Sequence, residues 1–322
     1  MNTPPVLFLI FNRKENAILS FERIRLARPS RLFIAADGPR SDREGECSQC
    51  HAVRDAILGA VDWECEIKTL FRDENLGCRQ AVSQAITWFF NEVEAGIIIE
   101  DDCIVSHTFF RFCAELLERY RDDERILSIS ANCFQPSGSI RSASYYFSKY
   151  QHCWGWASWK RAWRKFMPTL EEWPRFRDAG GLAKYNEGCK VFDHHFAKIF
   201  NQAHSGEGDS WAFIWLLTGW MNDMLTIHPA VNMSQNTGLG TEATHTLDRE
   251  NWTATLPALE LAFPLIHPGE VCRNRGADRW SDIHLWHIRR LQPLIRILSH
   301  SSLLRSCYHK LYMPILRQKR KT

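Results

Sequence analysis

A chain of 322 residues, 45% hydrophobic and 24% charged, has the composition of an ordinary globular protein, which excludes a disordered or fibrous one. Its length suits two small domains or one large α/β unit with additions, and it holds no run of 18 uncharged apolar residues able to span a bilayer. The net charge of +3 is unevenly divided: residues 283–322 carry nine Lys or Arg and no acid, while residues 1–282 hold 31 basic and 37 acidic side chains. An acidic body of that kind argues against nucleic acid as a partner. The eleven cysteines are scattered, without the short regular spacing of a disulfide framework, and point to a reducing, cytoplasmic setting. The start, MNTPPVLFLIFNR, has no basic segment before its apolar run, so no signal peptide is expected. Cys47 and Cys50, with His51 beside them, lack the second pair that a closed zinc site requires.

In chain order, Val6–Phe11 is a continuous apolar run and predicts a strand buried on both faces. Ile18, Phe21 and Ile24 then fall at helical spacing over about Glu15–Ala27. Arg31–Ala36 predicts a second strand, stopped by the turn signal Asp37-Gly38-Pro39. A helix over about Gly45–Gly59 and a strand over Glu66–Phe71 follow, then a helix over Cys78–Phe90 and a strand over Gly96–Ile99 that runs into Glu100-Asp101-Asp102. A helix at about Thr108–Tyr120 and a strand at Ile126–Ser130 complete an alternation expected to form a mostly parallel, doubly wound α/β sheet with helical crossovers. Ligands of such sheets lie beyond the carboxyl ends of the strands, where Asn12, Asp37, Arg72 and the acidic triplet all fall.

The triplet is the most informative string. Three adjacent carboxylates repel one another unless solvated or bridged by a cation. In extended geometry Glu100 and Asp102 share a face and Asp101 points away. Oxygen ligands at this spacing suit Mg²⁺ or Mn²⁺ shared with substrate phosphates, and the other reading is a solvated acidic loop. Arg13 and Arg72 are either phosphate-neutralising forks or surface ion-pair residues. Gly77, ahead of the third helix, either lets a nucleotide approach or eases a turn.

The strand–Asn-Arg and strand–Asp-Gly-Pro-Arg junctions, Phe71-Arg-Asp-Glu-Asn-Leu-Gly77 and the Glu-Asp-Asp exit resemble bacterial nucleotide-diphospho-sugar glycosyltransferases of the GT-A fold (family 2-like) over about residues 5–135. The segments Trp154-Gly-Trp-Ala-Ser-Trp159 and Asn236-Thr-Gly-Leu-Gly…Ala-Thr-His-Thr extend the similarity to about residue 250. The departure is Glu100, where the D-x-D-type motif usually opens with Asp. The resemblance implies a GT-A fold with helical acceptor-side additions and a nucleotide-sugar half over 1–135. It also implies an acceptor-binding and catalytic half of the same unit over 136–282, ahead of a basic amphipathic tail over 283–322. It implies Asp102 as the more direct metal ligand with Glu100 and His245, and Asp37 as acceptor from the imino N–H of uracil. Asn12, Arg13, Arg72, Gly77 and Asp101 are placed with the nucleotide. The expected activity is metal-dependent, inverting transfer from a nucleoside-diphosphate sugar, a UDP-sugar favoured, to a glycan or lipid-linked acceptor. The alternatives are a sugar-phosphate nucleotidyltransferase, which would want a glycine-rich phosphate loop after the first strand, and a non-catalytic carbohydrate-binding protein.

On the acceptor side, Asp209 in Gly-Glu-Gly-Asp-Ser-Trp is either the base that takes the acceptor proton or the N-cap of a helix over Ser210–Met221, with Glu207 in reserve. Trp154 and Trp156 offer faces to a sugar or fill the core, and Trp159 and Trp163 read as core. His194-His195 reads as structural, and Val231–Thr246 as an ordered loop. The tail mixes apolar and basic residues, with Pro293 and Pro314 dividing it. It is expected either to pack on the body or to make peripheral contact with the anionic inner face of the cytoplasmic membrane.

Overall fold

A computed structural model of the chain describes residues 2–238 and 252–288. The first half follows the expected alternation closely: β1 (Val6–Ile10), α1 (Lys14–Ala27), β2 (Arg31–Ala36), α2 (Glu46–Gly59), β3 (Glu66–Phe71), α3 (Gly77–Glu92) and β4 (Ala95–Glu100). After the acids come a short β5 (Cys103–Val105), α4 (Thr108–Arg119) and β6 (Ile126–Ser130). The second half contributes β7 (Tyr145–Ser148), β8 (Trp156–Trp159), α5 (Lys160–Trp163), α6 (Trp173–Asp178), α7 (Ala183–Asn186), α8 (Lys190–His204), α9 (Trp211–Met221), β9 (Leu225–Pro229), β10 (Ser234–Asn236) and α10 (Arg275–His284).

Eight strands form one mixed sheet in the order β3-β2-β1-β4-β8-β6-β9-β7. Strands β1 to β4 are mutually parallel, as their crossover helices require. Two strands run against the rest of this mostly parallel sheet: β7, beside β9 at the edge, and β8, which lies antiparallel between β4 and β6 and so joins the two halves of the chain. It is built from the tryptophan-rich segment, whose Trp156, Ala157, Ser158 and Trp159 are all buried. Alternation decides their roles: Trp156 stacks on Trp211 on one face of the sheet, and Trp159 donates from Nε1 to the Leu117 carbonyl on the other. A separate antiparallel pair, β5–β10, sets Asn236 opposite Cys103, directly after the acidic triplet.

The second half holds its last helix by charge. Lys149 is buried, and its ammonium meets the Asp282 carboxylate at 3.0 Å and donates to the Tyr185 carbonyl at 3.0 Å. Asp278, also fully buried, accepts from the Lys149 backbone N–H, from Ser148 Oγ and from Arg273 Nε. Tyr150 donates its hydroxyl to Asp282. Burial pushes the Lys149 ammonium down and the Asp278 carboxyl up from their ordinary ranges, while the opposite charges beside each pull them back. These contacts dock α10, and the Leu285–Ile288 segment after it packs into the aromatic cluster of Tyr150, Phe192, Phe196 and Trp220. The first residues of the basic tail are thus part of the body, and Arg289–Thr322 lie outside the described residues. Among the described residues no helix is long and apolar enough to cross a membrane. Removing one partner of a buried ion pair leaves the other charge uncompensated, at a cost of about 3–5 kcal/mol. Lys149→Met is therefore expected to lower unfolding free energy by roughly that amount in urea titration, whereas a loss under about 1 kcal/mol would show the cluster to be dispensable.

Candidate functional site

Two neighbouring cavities open at the carboxyl ends of β1, β2 and β4. The smaller, about 270 Å³, is walled by the ends of β1 and β2 and by the start of α3, and includes Asp37, Arg40, Arg72, Gly77, Asp101 and Asp209. The larger, about 520 Å³, is lined by Asp102, Phe134, Gln151, Trp154, Trp211 and Trp286 among others. Arg13, Cys78 and Glu100 belong to both.

The acidic triplet stands at this junction, with Glu100 and Asp102 on the larger cavity and Asp101 off it, although β4 ends at Glu100. The chain turns after Glu100, and Asp101 is buried: it accepts from the Phe11 backbone N–H at 3.2 Å and from Arg13 Nη2 at 3.1 Å. Asp102 meets the same guanidinium nitrogen at 3.4 Å and accepts weakly from the Cys103 thiol. The Thr237 N–H donates to the Asp102 carbonyl at 2.8 Å, and Gly238 lies against the Asp102 side chain so closely that a Cβ there would fall 2.0 Å from Oδ2. The Asn236-Thr-Gly segment is therefore a cover over the acids, with Asn236 and Gly238 lining the larger cavity. Burial, then the charges of Asp102 and Asp101, push the Glu100 carboxyl up to about 8. Burial likewise pushes Asp101 up to about 7 against the pull of Arg13.

The start of α3 holds the second cluster. Asp37 accepts from its own Gly38 N–H at 2.9 Å and from the N–H groups of Leu76 and Gly77 at 3.1 and 3.2 Å. Asp209 accepts from the next two, Cys78 and Arg79, both at 2.9 Å. Two carboxylates from distant parts of the chain thus satisfy the amides that a helix leaves open at its start. Gly77 has φ +78, and a Cβ there would come within 3.3 Å of Asp209, so both conformation and space favour glycine. Asp209 is not the cap of its own helix, since α9 begins at Trp211 after Ser210; it caps α3 instead. Burial pushes the Asp37 carboxyl up, partly offset by its backbone donors.

Of the other residues singled out in the sequence, Arg72 lines the smaller cavity and donates to Gln84 at 3.3 Å. Asn12 is turned away, donating to the buried Glu46 carboxylate, which also holds Arg40. Glu207 is exposed and lines neither cavity. Trp154 lines the larger cavity, but Trp156 is fully buried in the sheet and presents no face to a ligand, which corrects its expected acceptor role. His245 lies outside the described residues. Cys47 and His51 approach to 3.8 Å on α2 while Cys50 is buried, and no group of three or more His, Cys, Asp or Glu among the described residues is arranged to cage a metal. Gln151, Trp211 and Trp286 belong to no site motif and reach the cavity only through folding.

No family model matches the sequence, and no curated protein is significantly similar to it. Solved structures do resemble parts of the fold. HddC from Yersinia pseudotuberculosis is 11% identical, with TM-score 0.31 over 49% of this chain and 77% of its own. A cytidylyltransferase from Leptospira borgpetersenii is 10% identical, with TM-score 0.34 over 60% of this chain and 74% of its own. The 4-diphosphocytidyl-2C-methyl-D-erythritol synthase from Anaerococcus prevotii is 8% identical, with TM-score 0.30 over 56% and 85%. None of these proteins is named as a glycosyltransferase, and the glycosyltransferase expected from the sequence is corrected: no glycosyl transfer is assigned to the site.

Two outcomes follow from this geometry. A carboxyl raised in the folded protein binds its proton more tightly than in the unfolded chain, so Glu100 contributes stability that is complete below its ordinary value of 4.5 and is lost as pH rises through about 8. Thermal melts from about pH 5 to 9 should show this loss in wild type and a smaller one in Glu100→Gln, and added Mg²⁺ should raise the melting temperature more at about pH 8 than at about pH 6. Equal pH slopes for the two proteins would contradict the assignment. Asp209→Ala should cost about 1 kcal/mol in denaturant titration by freeing two amides of α3, and Asp209→Asn, which keeps one acceptor oxygen, should recover part of it.

Proposed function

We propose that the chain is a divalent-metal-dependent nucleotidyltransferase that joins a nucleoside triphosphate, held in the smaller cavity, to a sugar phosphate in the larger. The observation that carries this reading is the shared wall: two cavities meet at Arg13, Cys78 and Glu100, with Asp102 beside them, so two ligands would face each other across the acids. In this reading the parallel β3-β2-β1-β4 half of the sheet is of the nucleotide-diphospho-sugar-transferase type.

The residues fit a divalent cation. Glu100 and Asp102 present hard oxygen donors at the larger cavity; burial, then the charges of Asp102 and Asp101, raises Glu100, and added positive charge would relieve the second of these. Asp101, committed to Phe11 and Arg13, orients the turn rather than the ion. Two carboxylates leave the remaining coordination to phosphate oxygens and water, the usual state of Mg²⁺. When bound, the ion neutralises charge developing on the phosphoryl oxygens. An oxygen of the sugar phosphate attacks the α-phosphorus, the bond from that phosphorus to its bridging oxygen breaks, and pyrophosphate leaves. Arg13 lies at the junction, and Arg40 and Arg72 bring positive charge to the nucleotide side. The Asn12-Arg13-Lys14-Glu15 turn has no glycine for a phosphate loop, and the amides at the Gly77 turn are held by Asp37 and Asp209, so the phosphates rely on the arginines and the cation.

Pyrophosphate release tests this with the four nucleoside triphosphates, a panel of aldose 1-phosphates and Mg²⁺. Wild type should turn over with at least one pair, and Asp102→Asn should lose about 10²-fold or more while folding normally. An unimpaired Asp102→Asn enzyme, or no pyrophosphate from wild type with any pair, would overturn the proposal.

A further inference from the structure

The smaller cavity has a feature that the phosphate chemistry does not use. Its end beside the acids is marked by Arg13, Cys78 and Glu100, which it shares with the larger cavity. Phe11 and Arg40 line the smaller cavity alone, and the Arg40 guanidinium lies over the Phe11 ring, 5.6 Å from its centroid. A guanidinium in such a place would ordinarily serve as a phosphate fork, but this fork is already engaged. Glu46, 3% exposed in the first turn of α2, accepts from Arg40 Nε at 3.0 Å, from Arg40 Nη2, and from the Arg40 backbone N–H at 2.7 Å. The bonded Arg40 guanidinium holds the Glu46 carboxyl below its ordinary range, so it is ionised at neutral pH. Glu46 also accepts from Asn12 Nδ2 at 2.9 Å, which is why Asn12 is turned away from the cavity. The turns after β1 and β2 are thus tied to one buried carboxylate, and they fix a side chain that is itself 44% exposed. What remains to a ligand is the exposed side of the Arg40 plane.

We infer that Arg40, stacked on Phe11, is the platform on which the nucleobase lies, and that Glu46 is the positioning residue that sets this platform. The inference rests on the reading of the smaller cavity as the nucleotide site. A triphosphate has to reach Arg13 and the acids, so its base falls toward the end that the larger cavity does not share. The chemistry of that end suits a base. A delocalised guanidinium plane stacks on flat rings, and every base presents a π-face to such a stack. Leu9, Ala35, Ala81 and Ala85 line the same cavity with apolar surface and little bulk. A phosphate placed on Arg40 would instead find the fork occupied and a carboxylate beside it.

Calorimetric titration of the full chain in Mg²⁺ buffer, without sugar phosphate, reads the platform directly. The probes are ATP, GTP, CTP and UTP, with inorganic triphosphate as the control that carries the charge and no base. At least one nucleotide should bind wild type more tightly than triphosphate does. Arg40→Lys keeps the charge and loses the plane; it should weaken that nucleotide about tenfold, or about 1.4 kcal/mol, and leave triphosphate binding unchanged. Glu46→Gln should weaken the nucleotide by a similar factor in the Arg40 protein and add nothing in the Arg40→Lys protein, because it acts through Arg40. Should Glu46→Gln fail to fold and lose triphosphate as well, Arg40→Lys, at an exposed side chain, still decides. Full nucleotide affinity in Arg40→Lys, or an equal loss of nucleotide and triphosphate, overturns the inference, as does a wild type that prefers no nucleotide to triphosphate. Pyrophosphate release separates it from the proposed reaction. Binding that depends on base and on Arg40 but brings no turnover would sink the reaction and leave the platform standing, while turnover in Arg40→Lys at the wild-type KM for nucleotide would do the reverse.

Discussion

Three consecutive carboxylates at the mouth of a central strand are the constraint around which this protein is arranged. Ile97, Ile98 and Ile99 are fully buried and hold β4 in the middle of the sheet, so the acids that follow cannot retreat into solvent. One guanidinium, Arg13, meets two of them, and it comes from the turn after β1, the strand paired alongside. A single positive charge does not balance three negative ones, and burial first, with the neighbouring acids adding to it, raises Glu100 and Asp101. The β5–β10 pair then brings Asn236, Thr237 and Gly238 over Asp102, where only a residue without a side chain fits. A site short of positive charge and closed on one side is one that the proposed divalent cation would relieve.

The same economy of charge joins the two halves of the chain. At the start of α3, Asp37 comes from the end of β2 and Asp209 from the loop before α9, and together they take four successive backbone donors. Carboxylates are favoured there because the helix dipole presents its positive end. The consequence for function is positional: Asp209 stands between the two cavities' elements, tied to the helix that walls the smaller one. The sheet repeats this joining, since β8 of the second half lies between β4 and β6 of the first and buries Trp156 and Trp159 on opposite faces.

Farther along, charge buried with its partners does what an apolar contact would not. Lys149, Asp278, Asp282 and Arg273 fix α10 at one register, because each must find its own counter-charge or leave it unpaired in the core. The tryptophan that α10 carries behind it then faces the larger cavity at a defined place. Stability and the shape of the binding wall are set by the same contacts.

Much of this was legible from the chain alone. Val6–Ile10 and Arg31–Ala36 were readable because strands buried on both faces are nearly unbroken apolar runs punctuated by turn residues. Their ends located Asp37, Arg72 and the acidic triplet at one edge, since parallel strands deliver their carboxyl ends to the same side. The second half was not legible to the same degree. A short segment such as Trp156–Trp159 has too few residues to reveal a period, and its place between β4 and β6 depends on pairing across long stretches of sequence. Asp209 illustrates the limit most clearly. Sequence assigns an Asp before a helix to the helix beside it, because capping is ordinarily local, and only the tertiary fold could give it to α3, 131 residues away. Gln151 and Trp286 carry no local signal at all. What composition and periodicity determined was the sheet's first half and the edge where chemistry gathers; which side chains face one another there was decided by packing and by the pairing of buried charge, neither of which is a property of neighbouring residues.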